Sequence, residues 1–432
     1  MAEKTKERKL DKEIREIKAR KRNIKIYPLY KALSWDLLFY YAIIYAFLLE
    51  EKGITSSQIM GFQACYIIFR FLLQIPCTLL IGKIGKSGAI VFGNLASLIS
   101  TAVIIIAPNF AVLIFSQFLS AIAFNLKEIC ESDILYDSLQ PTDDRSKSFT
   151  KIDGKAFSAF FYISAASALI AGFLFKVSPV LPLIISCIFS AISLIISMGF
   201  EDIHYNKEEA KKGKISYQIK EMRVTTKLIF KSHRLRYLLL LDGIFYAIFY
   251  SIAMLRSNEL LYVGVDVQFI GIIYALCVVA TGIASNHAQR IHEKRRNRTL
   301  ESLVIPAALI FFICGLLMFM KDYAIFVIPA MIILYIVQTS VQGPYIVLMK
   351  KYLNNFTNNK KRVRISSAKI AIDSFISGVL LFVQAFMMAH MEDRYSVLIM
   401  GAFFSIVTII LFIRMRKYVG LPMEEYKKGE IL

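Results

Sequence analysis

The sequence predicts an all-α polytopic membrane protein with twelve transmembrane helices in two pseudo-symmetric six-helix bundles. Three observations carry that expectation. Of 432 residues, 56% are hydrophobic and only 19% charged, against about 45–50% and about 25% in soluble domains. The apolar residues come in blocks of about twenty, the length that crosses a bilayer as a helix. The net charge of +20 is carried almost entirely between those blocks.

The blocks run near residues 28–49, 58–81, 88–108, 110–131, 156–176, 180–200, 237–255, 268–288, 301–320, 323–348, 367–390 and 395–414. Links as short as Pro108-Asn109 and Lys321-Asp322 force neighbouring helices to run antiparallel. Strands of a membrane barrel would alternate over about ten residues, and these blocks do not. The connections on one side carry 44 Lys and Arg. Those on the other carry five: Lys52, Lys176, Arg256, Lys321 and Arg394. Basic residues are retained at the cytoplasm, so both termini are expected there, in a multi-pass protein of the cell membrane.

The expected organisation is a basic segment over 1–25, a six-helix bundle over 26–200 and a basic central loop over 201–236. A second bundle follows over 237–415, then a tail over 416–432. Internal echoes support the duplication. Asp36-Leu37-Leu38-Phe39-Tyr40 opens the first block as Asp242-Gly243-Ile244-Phe245-Tyr246 opens the seventh. Ser148-x-x-Lys151-Ile152 answers Ser366-x-x-Lys369-Ile370.

Several function classes drop out. Cys65, Cys77, Cys130, Cys187, Cys277 and Cys314 form no C-x-x-C pair, and the five histidines are dispersed, so neither a metal site nor a disulfide framework is expected. No phosphate-binding G-x-x-x-x-G-K-S/T loop is present, so ATP does not drive the protein directly. No cofactor is expected, and no catalytic constellation marks an enzyme. No soluble module remains to read nucleic acid. The N-terminal charges are suited only to the anionic face of a membrane.

The candidate site comes from ionisable groups inside the blocks, which are costly there and therefore face the bundle interior and find partners. Arg70 lies halfway along the second block and needs an anion, with Asp36, Glu128 and Glu131 as the natural choices. It reads either as a structural ion pair or as a binder of substrate anions. Asp36 and Asp242 lie about two turns inside the basic ends of their helices, at equivalent repeat positions. Each is suited to carrying a proton or to capping a neighbouring helix in a closed gate. Glu128 and Glu131 share one helical face beside Lys127. Lys369 and Asp373, four apart, pair with each other or gate against Asp137. Tyr40, Tyr41, Tyr45, Gln63, Tyr246, Tyr250, Gln338 and Gln342 are the expected cavity lining, suited to an organic molecule. Gln342-Gly343-Pro344 marks a kink in the tenth block.

Two six-span groups around a basic middle loop resemble the major facilitator superfamily of secondary transporters. The stretch Ile75-Pro76-Cys77-Thr78-Leu79-Leu80-Ile81-Gly82-Lys83-Ile84-Gly85-Lys86 is similar to that family's signature between helices 2 and 3. Lys83, Gly85 and Lys86 match it, whereas Gly82 replaces its Asp and Thr78 its first Gly. The run Leu135-Tyr136-Asp137-Ser138-Leu139 looks like the end of helix 4 in one bacterial branch. Gln117 stands where the family often has a coupling Arg. The resemblance implies a transporter, and Lys83, Gly85 and Lys86 of the signature are expected at the cytoplasmic gate together with Asp137, Lys369 and Asp373. Transport of a small organic solute coupled to protons is then expected, with export of amphipathic compounds ahead of uptake of a sugar or other nutrient. A non-transporting receptor or assembly partner is the alternative of another class. The bilayer, protons and the solute are the expected partners, and the chain is expected to act as a monomer.

Overall fold

The structure, a computed structural model, describes residues 2–140, 145–203, 229–356 and 359–419, with residues 220, 223, 224 and 227 between them. Residues 204–219 of the expected central loop and the tail beyond residue 419 lie outside the described residues. The described residues are helical, with no strand among them.

In chain order the helices are α1 (Ala2–Ser34), α2 (Ile44–Ala46), α3 (Ser56–Ile106), α4 (Phe110–Ser138), α5 (Arg145–Val177) and α6 (Leu181–Ser197). After the central loop come α7 (His233–Tyr262), α8 (Val267–Asn286), α9 (Ala288–Arg295), α10 (Thr299–Leu317), α11 (Ala324–Ser340), α12 (Gln342–Phe356), α13 (Asn359–His390) and α14 (Asp393–Val419). The 51 residues of α3 would reach about 76 Å at 1.5 Å per residue, more than twice the hydrocarbon core. Gly85 divides it: at φ 82° it adopts a backbone that side chains disfavour, and the chain turns back. A 3-10 turn over Met318–Tyr323 separates α10 from α11 in the same way. Counted so, the described residues make twelve crossings.

Local signals fix the starts. Thr55 caps α3 in a full capping box with Gln58. Asn109 caps α4 by accepting from the Val112 amide at 3.1 Å, and Asp266 caps α8 through Gln268. The expected kink at Gln342-Gly343-Pro344 is the break at Val341 between α11 and α12.

The first block departs from expectation. Apolar from 28 to 49, it reads as one helix, yet α1 ends at Ser34 and residues 35–43 run as bends and turns. Phe39 there takes φ 62°, a left-handed backbone costing a non-glycine residue about 1–2 kcal/mol. Helix resumes as α2 and a π-turn over Phe47–Glu51. Asp36, aligned with Asp242 in the repeat, thus lies in an irregular segment, while Asp242 lies inside the continuous α7. The seventh span is also longer than expected. It carries Arg256 inside the bundle at 3% exposure, where the sequence placed it in a connection. Helix α1 runs unbroken through residue 25.

Two seams join helices α1–α6 to helices α7–α14. Along α3 and α13, the Ser57 hydroxyl donates to the Ala385 carbonyl at 2.8 Å, Gly378 lies against Ile68, and Phe71 meets Phe375 at 5.6 Å. Along α5 and α8, Gly172 and Gly271 bring the backbones together. A Cβ on Gly172 would sit 2.6 Å from the Gln268 carbonyl oxygen, and one on Gly271 would strike that of Ala168. Small residues are what allow so close an approach.

The apolar core follows the seams. Away from the Gly85 turn, one core draws on the first span, α3, α4, α5, α6, α7, α8, α10, α13 and α14 together, with a smaller one of α7, α8, α10 and α11 beside it. At the end holding the Gly85 turn and α9, here the basic end, the cores are separate. One comes from α1, α3, α4 and α5, the other from α7, α9, α10, α12, α13 and α14. The two groups of helices are fused at the far end and part toward the basic end.

Candidate functional site

The candidate site is the cleft expected between the two groups at the end where their cores are separate, and each group brings a charge cluster to it. On the α3–α4 wall Arg70 pairs with Glu128, as the sequence anticipates. Its Nε also donates to Asn125 Oδ1 at 3.2 Å, and Asn125 Nδ2 donates to the Arg70 carbonyl at 2.9 Å. The Arg70 side chain is 11% exposed, whereas that of Glu128 is 42% exposed. A carboxylate this exposed, near the basic end of the fourth span and held by an arginine halfway along the second, is suited to facing the cleft, because lipid would not accept it.

On the α7–α13 wall Lys369 lies between two aspartates. Its Nζ is 2.5 Å from Asp242 and 2.6 Å from Asp373. The Tyr345 hydroxyl of α12 donates to Asp242 Oδ1 at 2.9 Å, and its ring stacks on Phe245 with centroids 3.6 Å apart. Asp242 is fully buried and Asp373 nearly so. Lys369 also stands 4.9 Å over the Tyr246 ring. The expected i,i+4 pair is present, but its further partner is Asp242 of α7 rather than Asp137.

Tyrosines fill the space between the walls. Tyr250 interacts electrostatically with Arg70 and Glu128 on one side and with Asp373 and Lys369 on the other. Tyr246 and Tyr250 have ring centroids 6.0 Å apart, and Tyr66 faces Arg70 at 5.9 Å. Tyr40 and Tyr41 contact each other edge to face. Asp36 lies beside them in the broken first span, its carboxylate accepting from the Leu37 amide at 2.9 Å and within reach of Lys127 and Arg70. Gln63 is buried one turn before Tyr66. Tyr45 binds Ser56 at 2.9 Å instead of facing the site. Gln338 is fully buried and donates to the Ala307 carbonyl at 2.8 Å, tying α11 to α10 away from the cleft. Gln342 opens α12 at the helix break.

Behind the first wall lies a second network. Lys127 donates to the Ser34 carbonyl, where the broken α1 ends, which supplies a cation to a helix C-terminus. Glu131 accepts from Tyr30 at 3.1 Å, and Asn94 donates to Tyr30 at 2.9 Å. Glu128 and Glu131 therefore separate: the first turns to Arg70, the second to Tyr30. A small cavity with room for about one water is lined here by Ser34, Asp36, Asn94, Lys127 and serines of α6.

At the basic end, Lys86 binds Asp137 at 2.7 Å and Asp133 at 3.2 Å, closing the Gly85 turn onto α4. Lys83 is exposed on that turn. Arg20 donates to the Asp137 and Leu139 carbonyls at the end of α4. Lys31, counted from the sequence with the N-terminal charges, is in fact buried and pairs with Asp153 of α5 at 2.7 Å. Arg256 and Glu259 on α7 are two more buried charges that the hydropathy blocks miss, because they fall just past the apparent end of the seventh block. The described residues contain no cluster of His, Cys, Asp or Glu able to hold a metal.

Residues 32–354 match the family model described as Major Facilitator Superfamily. The mutant nucleoside transporter NupG shares the fold at TM-score 0.71 and 12% identity, over 93% of this chain and 100% of that one. A D-xylose-proton symporter aligns at TM-score 0.66 and 12% identity, over 96% of this chain and 99% of that one. A POT family transporter in complex with a thioalcohol-conjugated peptide aligns at TM-score 0.64 and 13% identity, over 93% of this chain and 96% of that one. No curated protein sequence matches the chain.

Proposed function

The chain belongs to the major facilitator superfamily, a transporter and not an enzyme, and on that premise we propose that it moves a small organic solute across the cytoplasmic membrane by alternating access, coupled to protons. The two rocking bodies are the bundles over 26–200 and 237–415, with both termini at the cytoplasm. The observation that carries this reading is the pair of opposed charge clusters in the cleft, Arg70 with Glu128 and Lys369 with Asp242 and Asp373.

Two carboxylates around one ammonium leave a negative charge in excess, in a place where charge is expensive. A proton on either aspartate removes that excess, and so does a cationic group of the solute. Solute and proton thereby compete or cooperate at one cluster, which is the requirement for coupling. The tyrosines supply apolar area with polar tips for an organic body, and this favours export of an amphipathic compound. Uptake of a sugar or other metabolite is the second reading, supported by the likeness in fold to a nucleoside transporter and a xylose-proton symporter.

Proteoliposomes loaded with a pH-sensitive dye test the proposal against ethidium, xylose, uridine and dialanine. Solute-driven proton movement is expected for one of these classes, and it should be lost in Asp373→Asn and Arg70→Ala. Everted and right-side-out vesicles separate export from uptake. No solute-dependent flux, with both variants indistinguishable from wild type, would overturn the reading.

A further inference from the structure

Arg256 and Glu259 stand three residues apart near the far end of α7 and have no part in the clusters above. Arg256 is 3% exposed and Glu259 1%. Residues so spaced share a helical face, yet these two do not pair. Glu259 Oε2 accepts from the Tyr335 hydroxyl of α11. The Arg256 guanidinium instead lies 4.6 Å over the ring of Tyr274 on α8. No ion pair among the described residues includes Arg256, and its buried Nε has no hydrogen-bond partner.

The other buried cations of the bundle are answered. Arg70 has Glu128 and Asn125, Lys369 has two aspartates, Lys31 has Asp153, and Lys127 has the Ser34 carbonyl. A guanidinium presents donors in a planar fork that matches a carboxylate or a phosphate. Tyr274, whose ring the guanidinium covers, also interacts electrostatically with Asp36, so one residue of α8 links Arg256 to the broken first span.

We propose that Arg256 binds the carboxylate or phosphate of the transported solute, with Glu259 as its proton-controlled counter-charge. The inference rests on the transporter reading and narrows it to solutes that carry an anionic group, any cationic group being left to the Lys369 cluster. The groups facing Glu259 are Tyr335 from α11, Cys314 from α10, Tyr45 from the first span and Arg256 from its own helix. Arg256 is the cation in that set. With Glu259 ionised, the guanidinium is already balanced and an anion gains little by approaching it. When Glu259 takes one proton from water, the guanidinium is left to the solute, and proton and anion bind together.

The test uses the purified full chain in detergent, with thermal unfolding followed as ligand is added. The probes are benzoate, succinate and glycerol 3-phosphate, each set against a neutral counterpart: benzyl alcohol, succinamide and glycerol. At pH 5.5 an anion should raise Tm where its counterpart does not. Its apparent Kd should weaken at least about tenfold at pH 8, a factor worth about 1.4 kcal/mol. Arg256→Gln should abolish the shift, while Arg256→Lys, which keeps the charge, should retain part of it and report on folding. Glu259→Gln should bind equally at both pH values. The inference is overturned if no anion acts, or if the shift survives in Arg256→Gln. Solute-driven proton flux that persists in Arg256→Gln proteoliposomes would also remove it, while leaving the transporter reading in place.

Discussion

Lys369 is the residue on which the α7–α13 wall depends, because among the described residues it is the cation paired with two buried carboxylates. Removing one partner of a buried ion pair leaves an uncompensated charge and costs about 3–5 kcal/mol, more than the pair itself contributes. Lys369→Met is therefore expected to lower thermal stability in detergent sharply, and Asp242→Asn on that background should restore part of the loss. Tyr345→Phe, which deletes one hydrogen bond to a charged group, should cost about 1.5–3 kcal/mol. A Lys369→Met protein as stable as wild type would show that the aspartates are not ionised together. The residues of this wall were legible in the sequence, since an acid or lysine deep inside an apolar block stands out. Lys31, Arg256 and Glu259 were not. They sit at block edges, where hydropathy assigns them to loops, and their burial depends on Asp153, Tyr274 and Tyr335, remote in the chain.

Among the elements, the seams and the broken first span were the hardest to foresee. Hydropathy measures apolar length, so residues 28–49 scored as a helix although the backbone leaves helical geometry between 35 and 43. Irregular backbone survives at membrane depth only where protein satisfies it, and the Lys127 bond to the Ser34 carbonyl is one such satisfaction. The glycines of α5 and α8 carry no periodic signature that separates a close contact from an ordinary small residue. Their packing makes a specific demand. Gly271→Leu would thrust a side chain into the Ala168 carbonyl, and overpacking of this kind costs about 1–3 kcal/mol. That penalty falls on the closed far end alone, so the variant should populate the state open there. Ala64, fully buried on the α3 stripe that includes Ser57, Ile68 and Phe71, offers the reporter. In a cysteine-free background, Ala64→Cys should react faster with a maleimide once Gly271→Leu is added. Equal rates would mean that the α5–α8 seam does not hold the far end shut.

At the scale of the whole molecule, two independent asymmetries point along the same axis. Forty-four basic residues lie in the connections of one side and five were assigned to the other, which the positive-inside rule assigns to the cytoplasm and the outside. The apolar core is shared between the helix groups at the far end and divided at the basic end. Charge in the loops sets how the chain inserts, and the core sets which end of the cleft is open, so nothing in the chemistry of one dictates the other. Taken together they support the proposal of a transporter whose site opens to the cytoplasm. Glu128, 42% exposed beside Arg70, offers a reporter of that. In a cysteine-free background, Glu128→Cys should react with a membrane-impermeant maleimide in everted vesicles and scarcely at all in right-side-out ones. Adding Gly271→Leu should narrow the difference by shifting part of the population to the opposite state. Faster labelling in right-side-out vesicles would reverse the assignment, placing the basic end outside or the open end of the cleft away from it. A second cysteine at exposed Lys83 on the Gly85 turn separates those two outcomes, because its accessibility follows the orientation of the chain and not the state of the cleft.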